Sequence, residues 1–320
     1  MRKHLRMDPR LRAVAECRGD VLTTADAAAL GIDEHGLVRL TASERLVHVR
    51  RGAYVLGDAW RDADDRGRHA LRTRAVLASR GPRSVASHEA ALALHRLPVD
   101  GRWPEVVDLL ADVSRVRLVG GARLHPRGNL EPVVVDGFRA VPIGVAVAQV
   151  ALRSGLVSGL VPFDRALHDR RVVASEVAEP LLARAAAPAQ RRLADRLLAR
   201  ADAACESVGE TRTRVLLGDL GFDPRSQVEI HDELGHLVAR VDFLVGDRVV
   251  VEFDGAVKYE GADGRAALVA EKRREDGLRS LGYAVVRVTW ADLAHPARVS
   301  GLIRRALTQN LPRDARAPAS

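Results

Sequence analysis

Apolar positions recur along this chain with several different periods, and the changes of period mark its elements. Asp8 and Pro9 open a segment of helical spacing through about Glu16. Thr23 or Thr24 caps a second, running to Leu30, with Gly31 as the turn, and Asp33 caps a third through about Thr41. The stretch RLVHVRRGAYVL, Arg45 to Leu56, alternates on both sides of Arg50, Arg51 and Gly52, which predicts a β-hairpin. Residues 61 to 204 show helical patterns first, strands between about Pro104 and Val141 with Asp136-Gly137 as a hairpin turn, and then mostly helices. The run AQRRLADRLLARADAA, Ala189 to Ala204, is an Arg-rich amphipathic helix with a solvated face. A last helix-forming stretch, Glu206 to Leu220, is stopped by Gly221 and precedes three strands, Gln227 to Asp232, Leu237 to Val245 and Arg248 to Asp254. A helix from about Arg265 to Leu281, a strand from Tyr283 to Thr289 and a helix from Pro296 to Leu307 follow.

These elements predict a multidomain α+β protein. Residues 1–58 have the layout of a winged helix-turn-helix, 59–188 form a middle α/β region, 189–204 a helical linker, and 205–310 an α/β domain with a central mixed sheet; 311–320 is a polar tail expected to be disordered. In the winged-helix layout the third helix offers His35 and Arg39 to a major groove, while Arg50 and Arg51 at the wing tip meet phosphate. The most apolar stretch, Val141 to Phe163, is interrupted by Pro142, Gln149 and Arg153, which argues against a membrane span. The opening MRKHLRMDPRLR lacks the apolar core of a signal peptide. Cys17 and Cys205 lie far apart, so neither a disulfide framework nor a cysteine-based zinc cluster is available, and the expected compartment is a bacterial cytoplasm.

Charge narrows the partner. A formal net charge of +8 and a pI near 10.3 favour a polyanion such as DNA, and the basic excess sits in the first two thirds of the chain. Of the 50 basic residues only three are lysines: Lys3, Lys258 and Lys272. Arg is used wherever a permanent cation suffices, whereas Lys is a compact ammonium whose pKa can be moved. Two of the three lysines follow closely on the carboxylates Glu252 and Asp254. In VASHEAALALHRLP, Ser87 is expected to cap a short helix and His88 to be a local structural histidine, because no acidic partner and nucleophile are placed around it in the sequence.

The carboxylates form an ordered set. Glu252 and Asp254, two apart on a strand, share a face, and the tight turn Gly246-Asp247 brings Asp242 beside them on the neighbouring strand. Glu210 on the preceding helix can join from above. Several carboxylates at one point stay ionised only with a cation, and an oxygen-only donor set selects Mg²⁺ or a similar hard divalent ion.

The order Glu210, Val241-Asp242, Glu252-Phe253-Asp254, the EKRRED helix and the strand GYAVVRVTW resembles the PD-(D/E)XK nuclease superfamily over about Glu206 to Leu307, and is similar within it to the domains grouped with very-short-patch-repair endonucleases. Leu11 to Leu56 is similar to the winged helix of AbiEi-type antitoxins, and the middle region, with SHEAALALHRLP, resembles a segment that accompanies both in actinobacterial proteins. The nuclease resemblance implies a restriction-endonuclease-like fold in which Asp242 and Glu252 hold Mg²⁺ or Mn²⁺ with Glu210 alongside. The superfamily's usual third motif residue is lysine, and Asp254 stands there. Lys258 or Lys272 is the proposed substitute, and Lys272 to Arg274, with Arg273 between them, would contact phosphate near the metal. The resemblance implies a metal-dependent endonuclease or nickase acting on DNA. The alternative is a DNA-binding transcriptional regulator or type IV antitoxin-like protein with an inactive nuclease-like domain, whose candidate protein partner is a toxin or a second copy of this chain. The cysteines of the mismatch-repair relatives' structural zinc site are absent, so mismatch specificity is not carried over.

Overall fold

In a computed structural model of the chain, the residues described are 7–255 and 262–309, with the side chains of 262–270 set aside. They form two compact units, one taking in the chain up to Ala166 with Arg170–Ala199, the other Leu167–Asp169 and the chain from Arg200 onward. Lys258 and the tail 311–320 lie outside the described residues.

The first unit begins with α1 (Pro9–Cys17), opened by Asp8, whose carboxylate accepts the Arg10 amide at 2.8 Å. Strand β1 (Val21–Thr23) leads into α2 (Thr24–Ala29), where Thr23 and Asp26 form a reciprocal capping box. Asp33 starts α3 (Glu34–Ala42) by accepting the Gly36 amide at 2.7 Å. The hairpin is β2 (Leu46–Arg50) and β3 (Ala53–Leu56), and the sheet order is β1-β3-β2. Leu11, Ala15, Leu37 and Leu40 from the helices close over Leu22 and Leu56 as one core. After α4 (Gly57–Asp62), helix α5 (Asp65–Arg80) packs Leu71 and Ala75 against Val21, Ala53 and Val55, so the winged-helix segment and the region after it share a second core.

A six-stranded mixed sheet follows. It contains β4 (Val85–Ala86), β5 (Val107–Ala111), β6 (Arg117–Val119), β7 (Ala122–Pro126), β8 (Val133–Val135) and β9 (Phe138–Ala140), in the order β6-β7-β5-β4-β9-β8, with α6 (His88–Leu94) between β4 and β5. The expected turn at Asp136-Gly137 joins β8 to β9 with both residues at positive φ, +48° and +82°, as a two-residue hairpin of this hand requires. Four helices complete this stretch: α7 (Ile143–Ser154), α8 (Leu156–His168), α9 (Ala174–Arg184) and α10 (Pro188–Ala199).

The second unit runs α11 (Val208–Asp219), β10 (Pro224–His231), β11 (Leu237–Val245), β12 (Val249–Asp254), α12 (Ala262–Ser280), β13 (Ala284–Thr289) and, after a short 3₁₀ turn, α13 (Pro296–Gln309). Strands β10, β11 and β12 form an antiparallel meander, and α12 carries the chain over to β13, which lies parallel to β12. A parallel neighbour requires such a crossover. Phe243, Val249 and Val251 fill one face with Leu217, Val288 and Ile303, while Ile230, Val241, Val250 and Leu278 fill the other. The centre of the sheet is thus covered on both faces, and Asp242, Glu252 and Asp254 come where β11 and β12 meet at one end of it. Among the described residues no helix is long and apolar enough to cross a membrane.

Candidate functional site

Where β11 and β12 pair, Phe243 faces Val251, and continuing that antiparallel register sets Asp242 across the seam from Glu252. The Phe253 amide donates to Asp242 Oδ2 at 2.8 Å. Asp242, Glu252, Asp254, Arg240, Glu271 and Arg274 border a cleft of about 310 Å³. Burial pushes the Asp242 carboxyl up to about 6, the Phe253 amide opposes this, and the negative charges of Glu210 and Glu252 add to the rise.

Glu210 is held differently. At the third position of α11 it is held by the cap: its Oε1 accepts the Ser207 hydroxyl at 2.7 Å, its Oε2 accepts the Glu206 amide at 2.9 Å, and its own amide donates to the N-cap Ser207 hydroxyl oxygen at 3.1 Å. Gln227, at φ +50° and left out of the β10–β11 ladder between Ser226 and Val228, donates its side-chain amide to Glu210 Oε2 at 2.9 Å. A non-glycine residue at positive φ is uncommon in a strand, and here it turns the side chain toward the carboxylate. Gly209 is in close contact with Phe253: a Cβ there would stand 1.9 Å from its ring. Phe253 in turn meets Trp290 edge-on at 4.8 Å between centroids.

The cation that meets Glu252 is Arg274. Its guanidinium grips Glu252 through two bonds, 2.6 and 2.8 Å, and Glu271 at 2.7 Å, a geometry that raises its own affinity for the proton and lowers the Glu271 carboxyl below the ordinary range. Arg287 ties Glu271 to Glu275. Lys272 and Arg273, expected at this position, instead point to solvent on the other side of α12 and do not line the cleft. One helical residue is about 100° of rotation, so neighbours in EKRRED cannot share a face. The spacing of Glu271 and Arg274, three apart, was the available signal for the residue that does face the site.

Among the described residues, the carboxylates of Glu210, Asp242 and Glu252 do not bring three ligand atoms within 4.8 Å of one another; the group that does is His88, Asp108 and His125. His88 was expected to have no acidic neighbour, but the strand pairing supplies Asp108 from twenty residues further on. Ser87 precedes α6 as expected, yet its hydroxyl makes no cap and instead lies 3.1 Å from His88 Nδ1.

In the N-terminal segment, α3 exposes His35, Val38 and Arg39, and Arg51 is exposed at the hairpin turn beside Gly52, whose φ is +76°. Between α3 and the hairpin runs a groove of about 810 Å³ bordered by Glu34, Val38, Thr41, His48, Arg51 and Tyr54. Arg50 departs from the expectation. A register shift between His48 and Arg50 breaks the alternation of β2. Its Nε and Nη1 are removed from solvent without a hydrogen-bond partner, and the guanidinium lies against Gly120. Burial, aided by the charge of Arg80, weakens its hold on the proton. Arg50 is thus turned away from where a wing meets phosphate.

Residues 9–57 match the family of transcriptional regulators described as AbiEi antitoxin. The match begins with α1 and ends with the hairpin, so the AbiEi-type segment coincides with the three helices and wing. No curated protein matches the chain.

Proposed function

We propose that the protein is a DNA-binding transcriptional regulator of the AbiEi antitoxin type, gripping DNA through the outer face of α3 and the tip of the hairpin. The observation that carries this is the coincidence of the AbiEi match with a complete helix-turn-helix and wing whose α3 leaves His35 and Arg39 exposed beside Arg51. His35 and Arg39 would reach base edges and Arg51 phosphate. The net charge of +8 accords with a polyanionic partner, and a DNA partner implies a cytoplasmic protein. A toxin, or a second copy of this chain, is the protein counterpart to look for. Nuclease footprinting over the DNA upstream of the protein's own gene tests the reading: protection lost in Arg39→Ala supports it, and equal protection by both proteins rejects α3 as the reader.

A second reading has an observation of its own. Asp242 is pushed up to about 6 by burial, the Glu210 and Glu252 charges adding to it, which is the condition of a carboxylate set that accepts a hard divalent cation. The donors fit Mg²⁺ or Mn²⁺ in chemistry, being oxygen only. Asp242 and Glu252 would hold the ion with Glu210 alongside, and Asp254 would stand at the rim of the cleft. Such an ion activates water and neutralises phosphate charge in phosphodiester cleavage. Arg274 would keep Glu252 oriented and supply a cation that needs no proton transfer. Plasmid nicking that requires Mg²⁺ and vanishes in Glu252→Gln would support this reading; its absence in the wild-type protein would leave the C-terminal unit as a nuclease-like body without activity.

A further inference from the structure

We propose that His88, Asp108 and His125 form a binding site for a divalent ion of the zinc class in the middle of the first unit. Nothing in the AbiEi match reaches these residues, which lie beyond position 57. Strands β5 and β7 run parallel with Asp108 paired to Arg123 and Leu110 to His125, so Asp108, Arg123 and His125 share one face of the sheet. His88 arrives from the first turn of α6, and its ring stacks on that of His125 at 4.5 Å between centroids. Asp108 is a carboxylate in a strand whose other residues are Val, Leu, Leu and Ala, and it is 1 % exposed. A charge in that position demands strong compensation.

The compensation on the protein side is uneven. Asp108 Oδ1 accepts from His125 Nε2 at 2.7 Å and from Arg123 at 3.3 Å. Oδ2 lies 3.0 Å from Arg153 Nη1 but has no hydrogen bond, although it is sealed from solvent. One ligand atom from each of the three residues lies within 4.8 Å of the other two. Four-coordinate zinc with bonds near 2.1 Å separates its donors by roughly 3.4 Å, so small side-chain rotations bring all three onto one ion. Two imidazoles and one carboxylate select zinc and its neighbours among the transition metals over Mg²⁺ or Ca²⁺. The missing thiolates rule out a cysteine cluster only.

The surroundings look like a second layer around such an ion. The Ser87 hydroxyl on His88 Nδ1 leaves Nε2 as the ligand atom, and Arg123 and Arg153 hold the carboxylate from outside. Arg153 also pairs with Glu89, so the two acids are matched by two arginines before any ion enters. A dication there therefore carries an anion in its open position: hydroxide, or a small oxyanion facing Arg153.

The test uses the full chain stripped of metal by chelation. Zn²⁺ titrated calorimetrically should bind with one equivalent, and His88→Gln and His125→Gln should each weaken binding at least tenfold. Should either histidine variant misfold, X-ray absorption of the Zn²⁺-loaded wild type decides: a shell with two imidazole nitrogens and no sulfur supports the site. Absence of stoichiometric binding, binding that survives both histidine substitutions in folded protein, or a sulfur-containing shell would overturn it.

Discussion

Asp242→Asn is the most informative single change in the C-terminal unit. Asp242 has its carboxyl raised from 3.8 to about 6, with burial the largest cause and the charges of Glu210 and Glu252 adding to it. In the pH window between those values the folded chain holds a proton that the unfolded chain has released, so folding stability falls as pH rises. Below 3.8 both states are protonated and the effect is absent; above 6 it is complete. At about 1.4 kcal/mol per unit the full shift is worth roughly 3 kcal/mol, and partial exposure of the side chain to screening solvent reduces this to about 1–2 kcal/mol. Asparagine keeps an oxygen to accept the Phe253 amide now bonded at 2.8 Å, so the substitution removes the charge and little else. Urea unfolding at pH 8 should show the variant more stable by about 1–2 kcal/mol, with the two proteins equal near pH 4. A variant that is less stable, or whose advantage does not depend on pH, refutes the electrostatic reasoning. Millimolar Mg²⁺ should stabilise wild type at pH 8 and not the variant if the carboxylates hold the ion.

Other perturbations probe the packing and charge around the same cleft. Gly209→Ala puts a methyl 1.9 Å from the Phe253 ring and should cost about 1–3 kcal/mol by thermal or urea unfolding; a neutral result would mean that α11 does not press on β12. Arg274→Gln strips Glu252 of its two-bond partner and should cost about 1–3 kcal/mol by urea unfolding at neutral pH; a neutral result would mean that the guanidinium does not stabilise the end of β12.

Much of the fold was legible in the sequence because its signals are local. Asp8 and Asp33 each accept a backbone amide at the start of the helix they announce, and Thr23 does so within the capping box of α2. The Gly246-Asp247 turn and the helix crossover to β13 likewise follow from short-range pattern, and they bring Asp242 next to Glu252 as expected. What stayed hidden depended on rotation or on distant pairing. Arg50 was misread because one register shift in β2 reverses which side the next residue takes. Lys272, Arg273 and Arg274 were expected to meet phosphate together, but lysine scarcity says nothing about helical phase: residues 272 and 273 are exposed, and Arg274 alone of the three reaches Glu252. His88, Asp108 and His125 meet because β5 pairs with β7 on one side and with β4, which leads into α6, on the other, long-range events that no spacing in the sequence encodes.

The DNA-binding claim is tested most directly by fluorescence anisotropy of a labelled duplex over a range of salt concentrations. Wild type should show log affinity falling linearly with log salt, and Arg51→Ala should flatten the slope by about 0.9, one phosphate contact, while Arg50→Ala leaves it unchanged because Nε and Nη1 of that guanidinium are removed from solvent and the group lies against Gly120. A slope indifferent to Arg51, or one that responds to Arg50 alone, would contradict DNA binding through this wing.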